Sequence, residues 1–299
     1  MKSQNRCGRN QRGEIMYDTI VIGGGPAGLQ AALTLGRMHR QVLLLDSGEY
    51  RNGMVEHAQN LITHDGRPPA QLRALARADI AAYDTVEIRD AAAQAVAPAA
   101  GGFVVDVEGA AVGTRTVLLA TGLRDELPDV PGLAAVWGRG AASCPFCHGH
   151  ELSGKRIAIL GGGAHADMQS AMLGRIASEL VVLDPAQVAA VEPAATGLTL
   201  RLSDGSLLEV GGVFLAPAAT QRAPFAAQLG VRMLESGCVA IDLMGQTSMP
   251  GVFAAGDMAH SPDAPGPLAS LAAATSAGQL AAVGCVRLLI AGGPAGSAA

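Results

Sequence analysis

Residues 17–28 read Tyr17-Asp18-Thr19-Ile20-Val21-Ile22-Gly23-Gly24-Gly25-Pro26-Ala27-Gly28, a short β-branched run that stops at a glycine cluster. The next ten residues, Leu29 to Met38, repeat apolar side chains at helical spacing. Strand, glycine turn and helix in that order make a cradle for a diphosphate. Gly23 permits the tight turn, Gly25 lets the backbone approach a pyrophosphate, Gly28 lets helix and strand pack closely, and the helix N-terminus faces the phosphates. A second strand, Val42 to Leu45, ends in Asp46, which lies 46 − 23 = 23 residues beyond Gly23. That spacing brings a carboxylate to an adenosine ribose. Glycine turns also occur without ligands, so the reading rests on the whole strand–turn–helix–strand unit.

The unit recurs. Arg156 to Leu160 is a second β-branched and aliphatic run, Gly161-Gly162-Gly163-Ala164-His165-Ala166 fits the same glycine spacing, and Leu180 to Leu183 ends in Asp184. The expected fold is α/β, with two Rossmann-like dinucleotide-binding folds in tandem. Two further strand-to-turn signals stand between and after them: Thr116-Val117-Leu118-Leu119-Ala120-Thr121-Gly122 and Pro250-Gly251-Val252-Phe253-Ala254-Ala255-Gly256-Asp257.

Composition agrees with a folded enzyme-sized chain. The 299 residues are 49% hydrophobic and 16% charged, with 39 glycines, which excludes a disordered polymer and a cysteine-stapled miniprotein. The net charge of −5 has the wrong sign for a nucleic-acid partner. The longest apolar candidate for a membrane span, Leu280 to Ile290, is short and carries Arg287, so no membrane partner is expected. Residues 1–15 hold Lys2, Arg6, Arg9 and Arg12 but no apolar core. They are read as an upstream start or a frayed tail, with a transit peptide as a third option, and the cytoplasm as the default location.

Cys144-Pro145-Phe146-Cys147 carries the chemistry. Two thiols separated by two residues can close a disulfide, and a helix start lowers the pKa of one of them. Pro145 suits a first helical turn. Cys7, Cys238 and Cys285 stand alone and read as a tail thiol and two packing residues. Three other readings stay open on the residues alone. Cys-x-x-Cys-His matches a haem attachment site, His148 and His150 could complete a zinc site, and the two cysteines could be merely structural. No metal is expected.

The order of GGGPAGL, LATG, CPFC, the second glycine turn, GVFAAGD and the final Ala274-Thr275-Ser276-Ala277-Gly278 resembles the low-molecular-weight thioredoxin reductases, from residue 17 to about 290. That resemblance implies an FAD domain in two pieces, 16–123 and 240–299, with an NAD(P)H-type domain, 124–239, that carries the cysteine pair. It implies that FAD is held by Gly23, Gly25, Pro26, Ala27, Gly28, Asp46, Ser47, Arg51, Asn52, Asn60, Ala120, Thr121, Gly122, Gly256 and Asp257, the last on the ribityl chain. It also implies a homodimer. Cys144 becomes the outer thiol that exchanges with substrate and Cys147 the inner thiol that passes electrons to the flavin. His148 stands where the reductases have an acid, and its near-neutral pKa suits it to take and return a proton; the alternative is a histidine that only ends a turn or lies exposed.

Two departures bear on the direction of electron flow. The arginines that hold a 2′-phosphate in the reductases are replaced by Leu183-Asp184-Pro185-Ala186-Gln187-Val188, which disfavours NADPH while leaving NADH compatible. The acids usual in the second glycine helix are Met168 and Gln169, so Gly161 and Gly163 could persist for close helix–strand packing rather than for a ligand. The run Cys144-Pro145-Phe146-Cys147-His148-Gly149, with Asp46-Ser47-Gly48-Glu49-Tyr50-Arg51-Asn52, His57, Asn60 and Asp65-Gly66, resembles the FAD-dependent dithiol oxidases of the gliotoxin and holomycin type. That resemblance implies a small-molecule dithiol as substrate and dioxygen as acceptor. A nicotinamide- or ferredoxin-fed disulfide reductase and a non-turnover flavin/thiol redox sensor are the two alternatives.

Overall fold

The strand Ile15–Ile22 lies in the middle of a parallel sheet, with Ile20 opposite Leu43 on one side and opposite Val117 on the other. Ile20, Val21, Leu43, Leu44, Val117 and Leu118 are fully buried, which is why these strands are continuous apolar runs rather than alternating ones. The path runs Val86–Arg89, Val42–Leu45, Ile15–Ile22, Ala110–Leu119, Gly102–Val107, Ala93–Ala99. The last three form an antiparallel meander, and Val252–Ala254 pairs in parallel with the end of Ala110–Leu119. This computed structural model describes residues 8–9 and 15–293. The proposed tail, 1–15, therefore lies almost wholly outside the described residues.

Helix Pro26–Arg37 starts on Pro26 and packs against the long helix Leu271–Ile290. The approach is backbone to backbone: a Cβ on Gly278 would lie 2.1 Å from the carbonyl oxygen of Ala27. The final helix has 20 residues, longer than the Leu280–Ile290 run considered from sequence, and by length and composition it could cross a membrane. Here Ala281, Ala282 and Cys285 are fully buried against Leu29, Ala32 and Leu35, as in a core helix. Cys238 is fully buried too.

A second parallel sheet has the order Glu179–Leu183, Arg156–Leu160, Gly212–Leu215, Ala141–Ala142, with helix Gly163–Leu173 following its second glycine turn. A three-stranded antiparallel sheet, Val188–Ala194, Gly197–Leu202 and Leu207–Val210, adds Val191, Leu198 and Leu200 to the same core as Leu160 and Val213. The expected α/β class with two nucleotide-type folds is thus what the chain adopts.

Two compact units follow: 1–50, 72–124 and 220–299 in one; Arg51–Gln71 and Asp125–Ala219 in the other. The sequence-based borders at 123/124 and 239/240 differ from these in two places. Residues 51–71 group with the second unit because Arg51 pairs with Asp125 at 2.6 Å and Gly138 packs against Val55. Residues 220–239 group with the first, where Gln228 caps the backbone amide of Val96.

Gly278→Ala should destabilise the protein by about 1–3 kcal/mol, because the new methyl group meets a carbonyl oxygen that neither helix can move cheaply. Thermal denaturation of the variant against the parent measures it; an unchanged Tm would contradict the close helix contact.

Candidate redox and dinucleotide site

At the first glycine turn, protein atoms fill the space where side chains would begin. A Cβ on Gly23 (φ +122°) would lie 2.2 Å from the carbonyl oxygen of Ala120, and one on Gly28 would lie 1.9 Å from that of Gly23. Gly25 differs: nothing lies within 4 Å of its Cβ position, so the turn is open on that side to an incoming diphosphate. Pro26 and Ala27 open the helix above it, and a Cβ on Gly256 (φ +81°) would lie 3.1 Å from the Ala27 methyl group. The Ala120 amide bonds the Ile22 carbonyl, Thr121 donates to the Met258 sulfur, and Gly122 takes φ +72°. Asp257 accepts the Cys238 thiol on its backbone carbonyl. The open side of the turn leaves room for a diphosphate at the helix N-terminus.

Asp46 is buried at the end of its strand, and its carboxylate lies over Gly24, where no Cβ could fit. It accepts hydrogen bonds from the Tyr50 phenol at 3.0 and 2.8 Å, from Arg77 at 2.8 Å and from the Gly48 amide at 3.0 Å. Burial and the bond to Asp46 push the Tyr50 phenol up to about 12, so it stays a donor. Arg73 stacks 3.7 Å above the Tyr50 ring. Ser47 is exposed beside it. Neither Tyr50 nor Arg77 was singled out for the site from sequence; the only signal was the phenol four residues after the strand-end acid.

The three other expected cofactor residues belong to the second unit. Arg51 holds Asp125 through both its Nε and its terminal nitrogen. The Asn52 carbonyl accepts the Val55 amide. Asn60 (φ +60°) donates its backbone N–H to the Asp65 carboxylate at 2.6 Å.

Cys144 is the cap of the single helical turn Pro145–His148, and both cysteines are in the thiol form. The Cys144 sulfur is held down to about 7, first by its hydrogen bond with the Cys147 thiol, against the opposing effect of burial, and then by the backbone amides of Cys147 and Phe146 and the charge of Arg51. Gly149 lets this turn sit tightly, since a Cβ there would meet the Pro145 carbonyl oxygen at 2.6 Å. Buried Gln169 donates to the Ser143 carbonyl at 3.0 Å and so fixes the residue before Cys144 to helix Gly163–Leu173.

His148 is half-buried, and neither ring nitrogen has a hydrogen-bond partner among the described residues. Burial pushes its pKa down, while the charge of Glu151 opposes that shift. His150 is exposed. No group of three His, Cys, Asp or Glu side chains among the described residues is arranged to hold a metal.

The second glycine turn is built differently. Nothing lies within 4 Å of a Cβ on Gly161, Gly162 or Gly163, so close helix–strand packing is not what demands these glycines. Positive φ at Gly161 (+144°) and Gly163 (+65°) is. Asp184 caps its own short turn, accepting the Ala186 amide at 2.9 Å while Gln187 accepts the Asp184 amide.

A nucleotide cradle and a vicinal thiol pair on two nucleotide-type folds define a flavin-linked disulfide oxidoreductase. The family model described as pyridine nucleotide-disulphide oxidoreductase matches residues 17–187 and 182–278, and the chain belongs to that family. It is an oxidoreductase of a thioredoxin reductase-like FAD group. Thioredoxin reductase aclD of Aspergillus oryzae is 31% identical over 92% of this chain and 96% of its own length. A probable thioredoxin reductase of Arthroderma benhamiae is 42% identical over 155 residues, 50% of this chain; the match spans 38% of that longer protein. The crystal structure of HlmI superposes with a TM-score of 0.81 at 30% identity, covering 95% of this chain and 94% of the other.

In reduced protein, alkylation of Cys144 should follow thiolate formation with a midpoint near pH 7, where an ordinary thiol would titrate at 9.0. Because a lowered pKa means the thiolate exists above that point and is lost below it, reactivity must rise from pH 6 to 8. Arg51→Met should move the midpoint upward; mass-spectrometric alkylation rates across pH decide both.

Proposed function

We propose that the protein is an FAD-dependent dithiol oxidase that closes the disulfide of a small-molecule dithiol through Cys144 and Cys147, with dioxygen as the final acceptor. The observation that carries this is the second nucleotide fold, where the position expected for a 2′-phosphate clamp holds Asp184 bonded into its own turn. A carboxylate there repels the 2′-phosphate of NADPH, which favours the thiols over that nucleotide as the source of the flavin's electron pair. The homodimer expected from the family, and the cytoplasm as the default location, go with this reading.

FAD would be held by the Gly23–Gly28 turn, with Asp46 and Ser47 at its adenosine end and Ala120–Gly122 and Gly256–Asp257 along its length; Arg51, Asn52 and Asn60 are the further residues that the family resemblance assigns to it. The chemistry supplied by FAD, when bound, is two-electron storage between the dithiol and dioxygen. A substrate thiolate attacks the Cys144 sulfur of the Cys144–Cys147 disulfide; that bond breaks and Cys147 leaves as thiolate. The second substrate thiol then attacks the substrate sulfur of the mixed disulfide, releasing oxidised product and the Cys144 thiolate. A Cys144 held near 7 is a good leaving group in that step. Neutral His148 takes the proton of the attacking thiol, and its depressed pKa keeps it neutral at physiological pH.

One feature favours a second reading. The Gly161–Gly163 turn keeps its positive φ values and faces open space, which suits the diphosphate of NADH and a disulfide reductase. Anaerobic mixing separates the two. Dithiothreitol alone should bleach the flavin and air should restore it with one peroxide per dithiol, whereas rapid bleaching by NADH or NADPH would establish the reductase. Cys147→Ser should stay yellow and lose dithiol oxidation; full activity in that variant would remove Cys147 from the reaction. Bleaching without turnover would point to a sensor.

A further inference from the structure

The single helical turn Pro145–His148 is followed at once by the short helical turn His150–Leu152, so His148 and Glu151 stand three residues apart on one face. Both line a cavity of about 160 Å³ that also reaches Cys147. The remaining charged or titratable groups on its walls are Glu56, His57 and Arg139. Two of these are engaged with each other, Arg139 lying 3.4 Å from Glu56, and His57 places its Nδ1 on the Gly66 carbonyl oxygen at 3.0 Å. Gln59 is the one other polar side chain of the lining, and Val55, Ala142, Leu152, Val213 and Phe214 make the rest of its side chains apolar. Glu151 is thus the acid on this cavity without an ion-pair partner among the described residues, and the His148 ring is the buried polar group without a hydrogen bond. A buried, unpartnered polar ring beside a space that water can enter is a place where protons exchange.

We propose that Glu151 is a positioning residue for the proton chemistry of the Cys144–Cys147 pair, acting on His148 through the cavity the two side chains share. The proposal rests on the reading that the pair exchanges with a dithiol and that His148 takes the thiol proton. Each turnover converts one dithiol and one dioxygen into one disulfide and one peroxide. Two electrons pass through the thiol pair, and the two protons of the substrate thiols must be carried away from it to end on the peroxide. An imidazole in an apolar wall accepts a proton poorly, because the imidazolium loses its hydration. The Glu151 carboxylate offsets that loss at the cavity, so His148 can hold the proton long enough to pass it to water there. Glu56, tied to Arg139, contributes little net charge to the ring.

The sign of the effect is fixed. Burial lowers the His148 pKa and Glu151 raises it, so removing the Glu151 charge lowers it further. In Glu151→Gln holoenzyme the acid limb of anaerobic flavin bleaching by dithiothreitol should move down by roughly half a pH unit, the size expected for a partly solvated charge pair. The plateau rate should fall several-fold as His148 becomes a weaker base. Glu151→Asp should restore the limb. A second measurement does not depend on turnover: the His148 ring of oxidised holoenzyme, assigned with His148→Gln, is titrated by NMR in parent and Glu151→Gln protein. A lower midpoint in the variant supports the proposal. An identical midpoint, or a rate loss without movement of the limb, overturns it. If the parent is not bleached by dithiothreitol, the oxidase reading fails by itself, and the NMR titration still decides whether Glu151 acts on His148.

Discussion

Along the first glycine turn, carbonyl oxygens occupy the places where side chains would start. Ala120 presses on Gly23, Gly23 on Gly28, and Ala27 on Gly278 of the last helix, each at a distance a Cβ could not survive. Everything else in the first unit is arranged around this stack of backbone. Because no side chain intervenes, the helix Pro26–Arg37 lies directly on the strand ends, and its N-terminus opens beside Gly25, the one glycine of the three with free space in front of it. A helix terminus with unpaired amides and open approach favours an anion. Here that preference follows from packing.

The two glycine turns share a sequence pattern and differ physically. The first is demanded by contacts; the second is demanded only by backbone angles, since Gly161, Gly162 and Gly163 meet nothing. Their strand-end acids differ in the same way. Asp46 is buried and gathers Tyr50, Arg77 and Gly48 around it, whereas Asp184 is exposed and spends its carboxylate on the amide of Ala186. One acid is organised by elements distant in sequence, the other by its own next two residues. A pattern search treats these units as repeats, yet only the first has its carboxylate tied to a neighbouring helix.

How much of this was legible beforehand follows from the range of the interactions. The strands and glycine turns were readable because their causes are local: apolar runs buried on both faces and residues that permit positive φ. The thiol pair was readable because its spacing is the chemistry. The clamp on Asp46 was not, since Arg77 comes from a helix 31 residues away and nothing in its neighbourhood marks it. Glu151 is silent in the sequence for a similar reason, its meaning depending on a cavity whose other wall comes from residues 55–59. The grouping of 51–71 with the cysteine unit depends on Arg51 and Asp125, 74 residues apart. For Gly161 and Gly163 the sequence allowed packing as a cause, and only the open space around them removes it.

Activation of Cys144 is short-ranged: its neighbouring thiol, two amides of its own turn and one arginine lower its pKa. A thiolate stabilised in this way serves equally as nucleophile and as leaving group, so the turn itself carries no direction. Direction belongs to whatever exchanges electrons with the other end of the chain. Yet the second nucleotide fold cannot be discarded even where it binds no nucleotide, because its helix holds the redox turn in place through Gln169 and the Ser143 carbonyl. Its sheet ends in Ala141–Ala142, two residues before Cys144. A domain that serves as the rigid mount of two sulfur atoms keeps its strands, its core and its glycine backbone whatever becomes of its ligand. Gln169 illustrates the change of use, since an uncharged amide can donate to a buried carbonyl where a carboxylate could not.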